Sequence, residues 1–396
     1  MYNFDEIIDR RGTGCVKIEA LKQLYGRNDL IPLWVADMDF RTPGFILEAL
    51  SARLGHPVFG YTETPADYFN VISSWIRDIH GWEVDPSHIR YIPGIVKGIG
   101  MVLDGLFTPD TKVMIQPPVY HPFRNVPTGL GYEVVTNPLL PVYGPDNSLV
   151  SYRMDFEDLE AKLEADHSIR VLILSNPHNP CGIAWDRRTL ETLAEIVDRY
   201  NILVISDEIH AEMVLWGGRH IPFASVSEEA ARHSITFQAP SKTFNIAGIV
   251  SSYAIVPDPA IRESFFHYLD AGEFDAPNIF SPVATMAAYQ KGALWRKELL
   301  EYLQGNIEFV EIFISERIPG IHCVRPDASF LVWLDCRGLG LGHDALVDLF
   351  VNKARLALND GAMFGEQGSG FMRMNIGCPR AILKDALESL EKSINK

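Results

Sequence analysis

Five short apolar runs in this chain each end in a polar or glycine-containing turn. They are IRYIP before Gly94, KVMIQPPVY ending at Tyr120, RVLILSNPHNP with Asn179, ILVISDE with Asp207 and ITFQAPSK with Lys242. In a doubly wound sheet, ligands bind just outside the carboxyl ends of the strands. Five such turns in one chain therefore predict a single ligand site along one edge of a sheet.

Composition and charge disfavour several classes of protein. A chain of 396 residues is too long for one small core, and 47% apolar with 22% charged residues is typical of a globular protein. The net charge of −16 disfavours binding to nucleic acid or anionic membranes, which requires clustered cations.

The five cysteines are scattered without metal-ligand spacing, and the acidic N-terminus lacks the apolar core of a signal peptide. We therefore predict a cytoplasmic protein with reduced thiols and no metal.

The order of strand-like and helical patterns predicts the fold. The two alternate from about residue 45 to residue 281, as where the helical run DRRTLETLAEIVDRY, capped by Asp186, precedes the strand NILVIS. This alternation predicts an α/β fold with a mostly parallel, doubly wound sheet covered on both faces. The segment LLPVYGPDNSLVSYRMDF is rich in Pro, Gly and Asn, and we expect a long surface connection there.

The pattern changes after Pro282. A long helical stretch leads into the strands SFLVWLD and GFMRMNIG, and the amphipathic tail AILKDALESLEKSINK is expected to cover their sheet. We predict a large domain over residues 45–285 and a smaller α+β domain formed by residues 1–44 and 286–396.

Two side chains indicate the chemistry. Lys242, in APSKTFNIAG, carries an amine that can form a Schiff base with an aldehyde cofactor and can later remove a proton from Cα of an amino acid. Asp207, in VISDEIH, can keep the ring nitrogen of such a cofactor protonated, so that the ring acts as an electron sink. Alone, the lysine would be interpreted as a solvated loop residue and the aspartate as a helix N-cap. Together they favour a site for pyridoxal 5′-phosphate (PLP).

The helix that follows Gly94 is the predicted phosphate site. Its first amides, those of Ile95 and Val96, point toward any anion at the helix N-terminus, and Ser241 can add a hydroxyl. Glycines are common at the beginning of helices, so this signal is weak by itself.

Further side chains can orient the cofactor and the substrate. The amide of Asn179 can donate to the cofactor ring oxygen and to a substrate carboxylate, although Asn and Pro also favour turns for local reasons. Tyr120 can stack on the ring. Arg373, in FMRMNIG, can bind a substrate carboxylate through two parallel hydrogen bonds. Trp34 and Tyr61 are expected to line the entrance of the site.

These motifs resemble those of the fold-type-I PLP enzymes related to class I and II aminotransferases. Within that group the chain is most similar to the C–S lyase branch, the MalY/PatB type of cystathionine β-lyase. The strings that carry the resemblance run from residue 10 to residue 377: RRGTGCVKIEAL, DLIPLWVADMDF, IQPPVYHPF, LSNPHNPCG, VISDEIHAE, HIPFAS, APSKTFNIAG and MRMNIG.

The resemblance implies one role for each of five residues: Lys242 as the Schiff-base lysine, Asp207 as the ring-nitrogen partner, Asn179 on the ring oxygen, Tyr120 stacked on the ring and Arg373 on the substrate carboxylate. It also implies that Tyr61 reaches the phosphate in the neighbouring subunit, and hence that the protein is a homodimer with shared active sites.

Two positions depart from the aminotransferase pattern. His210 stands three residues after Asp207, where aminotransferases typically have a tyrosine, and Val250 stands eight residues after Lys242, where they typically have a phosphate-binding arginine. Both departures agree with the lyase branch. We place His210 among the cofactor-binding residues, and the charge that balances the phosphate stays open.

The predicted function is a PLP-dependent carbon–sulfur β-lyase. It would cleave L-cystathionine, L-cystine or related cysteine S-conjugates into a thiol, pyruvate and ammonia. One alternative is a PLP-dependent aminotransferase, which would share the fold, Lys242, Asp207 and Arg373. A second alternative is a PLP-binding regulatory protein that contacts a transcription activator.

Overall fold

A seven-stranded sheet forms the centre of the computed structural model, which describes residues 1–395. Ser252–Ile255 runs antiparallel to both of its neighbours, and the other neighbouring strands are parallel. The predicted α/β fold with a mostly parallel sheet is confirmed. In spatial order the strands of this large sheet are Ile89–Ile92, Ser252–Ile255, Ser234–Gln238, Leu203–Asp207, Ile169–Ser175, Lys112–Ile115 and Glu133–Thr136.

The inner strands of the large sheet are covered by helices. Every residue of Leu203–Asp207 and of Ser234–Gln238 is buried, so both faces of these strands are covered. Leu203–Asp207 accordingly begins with three successive apolar residues, whereas Ser234–Gln238 buries polar residues between apolar ones. The helix Arg187–Tyr200 lies directly before the first of them. It begins where the Asp186 carboxylate accepts a hydrogen bond from the backbone N–H of Thr189 at 2.8 Å, so the predicted N-cap is confirmed.

A second sheet of four antiparallel strands lies in the C-terminal part of the chain. The predicted helical stretch after Pro282 is two helices that meet at Gly292, where a Cβ would collide with the Phe244 ring and a backbone carbonyl. The strands of this sheet, in spatial order, are His322–Val324, Leu331–Asp335, Phe371–Asn375 and Asn359–Asp360. The long helices of the same part of the chain are Ser281–Lys291, Ala293–Arg317 and Arg380–Ile394.

The predicted boundary between two domains falls inside a helix. The strands of the large sheet lie within residues 45–285 and those of the four-stranded sheet within residues 286–396, but Ser281–Lys291 crosses from one range to the other. The division into two domains stays a prediction.

The segment expected to be a surface connection forms a β-hairpin. Leu140–Tyr143 pairs antiparallel with Leu149–Arg153, and the turn between them places Asn147 in the left-handed region with φ of 63°. Leu149 and Tyr152 are buried. The turn residues dominated the composition of the segment and hid the two short strands on either side.

The remaining helices and strands complete the chain. Ile31–Pro32 pairs in parallel with Leu356–Ala357. Among the helices of residues 1–395, none is both long and apolar enough to cross a membrane. The other α-helices are Val16–Glu19, Leu21–Tyr25, Gly44–Leu54, Tyr68–His80, Ile95–Leu106, Pro122–Gly129, Phe156–Ala165, Glu228–Arg232, Pro259–Ala271 and His343–Asp348.

Candidate active site

A cavity of about 330 Å³ lies at the carboxyl ends of the strands of the large sheet. Its volume is within the range of pockets that hold cofactors and small ligands, about 300–1,000 Å³. The loops after five strands bring the predicted residues to its walls. These residues are Gly94, Ile95, Val96, Tyr120, Asn179, Asp207, His210, Ser241 and Lys242.

Lys242 lies half-buried in the turn that follows Ser234–Gln238. Its Nζ donates a hydrogen bond to the backbone carbonyl of Ala36 at 2.5 Å. Burial, together with the positive charge of Arg373, lowers the pKa of this amine to about 8. A substantial neutral fraction therefore exists near neutral pH, as a nucleophile or a base requires.

Asp207 ends its strand inside the cavity. Its Oδ1 accepts a hydrogen bond from the backbone N–H of Ile209 at 3.1 Å, and Oδ2 accepts none from residues 1–395. Burial raises the pKa of Asp207 to about 7, because it outweighs this hydrogen bond and the nearby charge of Lys242. A carboxylate in this state would be stabilised by a cationic group in the cavity.

The next residue, Glu208, turns away from Asp207 into a buried polar network. Its carboxylate accepts hydrogen bonds from the backbone N–H of Phe223 at 2.8 Å and from Nε2 of Gln238 at 3.0 Å, and it lies 2.8 Å from Nε2 of His220. Of the two adjacent acids, only Asp207 therefore offers a free oxygen to the cavity.

Arg373 and Asn179 form a buried pair beside the cavity. Nη1 of Arg373 donates to Oδ1 of Asn179 at 2.8 Å, and Nη2 donates to the Trp34 carbonyl at 3.1 Å and to Oδ1 of Asn359 at 2.5 Å. The Nε of Arg373 is buried without a partner in residues 1–395, and burial lowers the pKa of this guanidinium to about 10. Because the arginine occupies Oδ1 of Asn179, the Nδ2 amide of Asn179 is left to donate toward a ligand.

Tyr120 and His210 supply two rings to the cavity. The backbone N–H of Tyr120 donates to the Asn179 carbonyl at 3.1 Å, which joins their two loops. Burial raises the pKa of Tyr120, so its phenol stays protonated at neutral pH. Burial lowers the pKa of His210 to about 3, so its imidazole is neutral.

One end of the cavity is built from backbone amides and small polar side chains. Gly94 has φ of 115°, a conformation that L-amino acids rarely adopt, and it turns the chain into the helix Ile95–Leu106. Lys97, Ser251 and Ser252 also line the cavity, and the sequence interpretation missed all three. A signal for Lys97 was present, because it lies in the first turn of the helix that follows Gly94.

Trp34, Tyr61 and Arg373 are not among the cavity-lining residues of this chain. The indole N–H of Trp34 donates to the Lys17 carbonyl at 2.9 Å, and its ring contacts Tyr25 with 5.8 Å between ring centroids. Tyr61 is fully exposed in an irregular loop. A contact of Trp34 with substrate, and of Tyr61 with a neighbouring subunit, stays a prediction.

Comparisons with known proteins show close relatives along the whole chain. The chain is 41% identical over 393 residues to cystathionine beta-lyase PatB of Bacillus subtilis (strain 168), covering 99% of this chain and 100% of that protein. It is 31% identical over 397 residues to protein MalY of Escherichia coli (strain K12), covering 100% and 99%. The crystal structure of the PLP-bound C–S lyase from Staphylococcus hominis superposes with a TM-score of 0.91 at 32% identity, covering 100% of this chain and 99% of that one.

A family model agrees with these relatives. Residues 28–390 match the model described as aminotransferase class I and II. The chain therefore belongs to the class I and II aminotransferase family and, within it, to the C–S lyase branch.

Proposed function

We propose that this protein is a PLP-dependent carbon–sulfur β-lyase that acts on L-cystathionine, L-cystine or related cysteine S-conjugates. The observation that carries the proposal is the pair of groups in one cavity, the half-buried amine of Lys242 and the buried carboxylate of Asp207, whose Oδ2 accepts no hydrogen bond from residues 1–395. The relatives named cystathionine beta-lyase and C–S lyase support the choice of a cysteine thioether as substrate.

The donors and acceptors of the cavity fit PLP. Oδ2 of Asp207 is free for a protonated ring nitrogen, Nδ2 of Asn179 can donate to the ring oxygen, and Tyr120 offers a ring for stacking. The amides at the beginning of Ile95–Leu106 suit the phosphate. When bound, PLP supplies a carbonyl carbon that combines with amines and an electron-poor ring that withdraws electrons from Cα.

Lys242 moves the proton in this proposal. Its amine would hold PLP covalently, and once released by a substrate amine, Nζ would take the proton from Cα of the substrate. The lowered pKa of Lys242, about 8, suits this role near neutral pH. Loss of the Cα proton allows the carbon–sulfur bond to break. A thiolate leaves more readily than a hydroxide, and the remaining three-carbon fragment hydrolyses to pyruvate and ammonia.

Arg373 is the proposed binding group for the substrate carboxylate, because its Nε is buried without a partner in residues 1–395 and its guanidinium, with a pKa of about 10, stays charged at neutral pH. We expect Arg373→Ala to raise KM by about 10–100-fold, since one hydrogen bond to a charged group contributes about 1.5–3 kcal/mol. The effect on kcat should be smaller. Steady-state pyruvate release measures both constants, with Arg325→Ala as the control because Arg325 pairs with Glu311 at the surface. An unchanged KM would contradict the assignment.

Lys97 is the proposed source of positive charge for the phosphate. It lines the cavity from the first turn of Ile95–Leu106. Val250 also lines the cavity, at the position where aminotransferases typically have an arginine, and it carries no charge. We expect Lys97→Met to raise the Kd for PLP by about three- to tenfold, the size expected for a partly exposed ion pair of about 1 kcal/mol. Fluorescence titration of the PLP-depleted chain measures the affinity, and Lys384→Met is the control. If Lys97→Met and Lys384→Met have the same Kd for PLP, Lys97 does not contribute to binding of the phosphate.

We further propose a cytoplasmic homodimer with shared active sites. Tyr61 and its neighbours Val58 and Phe59 form an exposed apolar loop, which supports burial of this loop against a second subunit. All five cysteines are free and buried, which supports a reducing compartment. A monomer by light scattering at micromolar concentration would contradict the dimer.

The test of the function is incubation of the purified, PLP-loaded protein with L-cystathionine. Thiol and pyruvate should appear in equal amounts without an added keto acid. An aminotransferase would instead require a keto acid as amino-group acceptor and would release no thiol. Persistent absence of thiol with L-cystathionine, L-cystine and other cysteine thioethers would defeat the proposal.

A further inference from the structure

Residues 34–40, here called the carbonyl segment, accept hydrogen bonds from side chains through their backbone carbonyl oxygens. Side chains from distant parts of the chain donate to nearly every carbonyl in turn. Two of these donors are Lys242 and Arg373. The pairs are Trp34 with Arg373 at 3.1 Å, Val35 with Asn375 at 2.5 Å, Ala36 with Lys242 at 2.5 Å, Asp37 with Lys17 at 2.9 Å, Met38 with Asn245 at 2.9 Å and Phe40 with Asn245 at 2.8 Å.

The side chains of the same segment form a four-charge cluster with the N-terminal residues Arg10 and Lys17. Arg10 lies 2.6 Å from a carboxylate oxygen of Asp37 and 2.6 Å from one of Asp39. Nζ of Lys17 lies 3.0 Å from the remaining oxygen of each carboxylate. All four carboxylate oxygens are thus paired with cations of this chain.

Lys17 is the most deeply buried member of the cluster, with 1% of its side chain exposed. Its Nζ donates hydrogen bonds to the Asp37 carbonyl at 2.9 Å and to Oδ2 of Asp39 at 3.0 Å, and it lies 3.0 Å from Oδ1 of Asp37. Buried ion pairs contribute little net stability compared with apolar packing, because removing the charges from water costs several kcal/mol per ion. This cost favours a role for the cluster in fixing geometry.

The cluster is placed to act on Lys242. Arg10 and Lys17 hold Asp37, the residue directly after Ala36, by its carboxylate, and Lys17 also donates to its carbonyl. Ala36 carries the only carbonyl in residues 1–395 that accepts a hydrogen bond from Nζ of Lys242. A shift of the segment would move this acceptor. An unpaired Asp37 carboxylate would also favour the protonated form of the amine.

Building on the proposed function, we propose that Arg10 and Lys17 are positioning residues of the lyase reaction. Through Asp37 and Asp39 they hold the Ala36 carbonyl as the acceptor for one N–H of the Lys242 amine, and they neutralise carboxylate charge beside that amine. The hydrogen bond limits the orientations of the amine, so that its lone pair stays available to the Cα proton.

The charges around Lys242 predict that two substitutions shift its pKa in opposite directions. Burial is the largest cause of its lowered pKa; Arg373 and Lys17 lower the value further, whereas Asp37 and Asp207 raise it. Lys17→Met should therefore raise the pKa of Lys242, and Asp37→Asn should lower it. His210 and Tyr120 line the same cavity, and both are neutral near pH 7, because burial lowers the pKa of the imidazole to about 3 and raises the pKa of the phenol.

The experiment measures the pKa of Lys242 in the full chain before PLP is added. Acetic anhydride acylates only neutral amines, and peptide mass spectrometry reads the acylation rate of Lys242 as a function of pH. We expect shifts of about 0.5–1 unit, upward in Lys17→Met and downward in Asp37→Asn. In the PLP-loaded variants, the acidic limb of the kcat profile should move in the same directions.

Arg27→Met is the matched control, because it removes an arginine–aspartate pair of the same N-terminal region, with Asp29, that does not contact the carbonyl segment. An unshifted pKa in both test variants, or shifts of the same sign, would overturn the proposal. If Lys17→Met does not fold, the near-isosteric Asp37→Asn decides alone. Acylation does not require turnover, so normal shifts without lyase activity would contradict the proposed function and leave the cluster's effect on Lys242 intact.

Discussion

Lys242→Ala is expected to abolish lyase turnover and to remove the visible absorbance of the attached cofactor. The variant loses the attachment point of PLP and the base that takes the Cα proton. The second loss alone corresponds to about 10²–10⁴ in rate. Pyruvate release from L-cystathionine measures turnover, and the absorbance spectrum of the purified protein measures attachment.

Rescue of the alanine variant by an added amine tests the role of the Lys242 amine directly. Alanine leaves space where the lysine chain was, and a small primary amine such as methylamine should restore part of the activity when added at high concentration. Lys384→Ala, on the exposed side of Arg380–Ile394, is the control and should behave as the unmodified protein. Full activity of Lys242→Ala, with unchanged absorbance, would remove the central residue of the mechanism.

Asp207→Asn is expected to lower kcat by about 10²–10³-fold. The substitution keeps the shape of the side chain but leaves a protonated ring nitrogen without its counter-charge, and breaking a buried charge pair costs about 3–5 kcal/mol. Proton removal from Cα should slow most, because it depends on the electron-withdrawing ring. Exchange of the Cα proton with deuterated water, followed by NMR, measures this step directly.

The control for this variant is Asp186→Asn, which changes an aspartate of similar size outside the cavity. Asparagine is as good an N-cap as aspartate, so the helix Arg187–Tyr200 should be retained. Normal exchange and normal turnover in Asp207→Asn with bound PLP would show that the carboxylate does not support the ring nitrogen.

Local patterns in the sequence predicted the large sheet and much of the cavity wall. The strand Leu203–Asp207 begins as a continuous apolar run because both faces of the sheet are covered, and the cap at Asp186 needs only residues up to Thr189. The turns with Asn179, Asp207 and Lys242 could be placed together because parallel strands end at the same edge. The hairpin of Leu140–Tyr143 and Leu149–Arg153 was missed because its turn residues outweighed its short strands in composition.

What the sequence by itself determined is the set of strands, the turns after them and the chemistry of the residues in those turns, since each depends on a few adjacent residues. Only the tertiary structure decided which distant groups meet. It joined Arg373 to Asn179 across 194 positions, gave the Ala36 carbonyl to Lys242 across 206, and enclosed Lys17 between two carboxylates. The physical reason is that burial and the approach of charges set these pairings and the lowered pKa of Lys242, and both arise only when remote segments pack together.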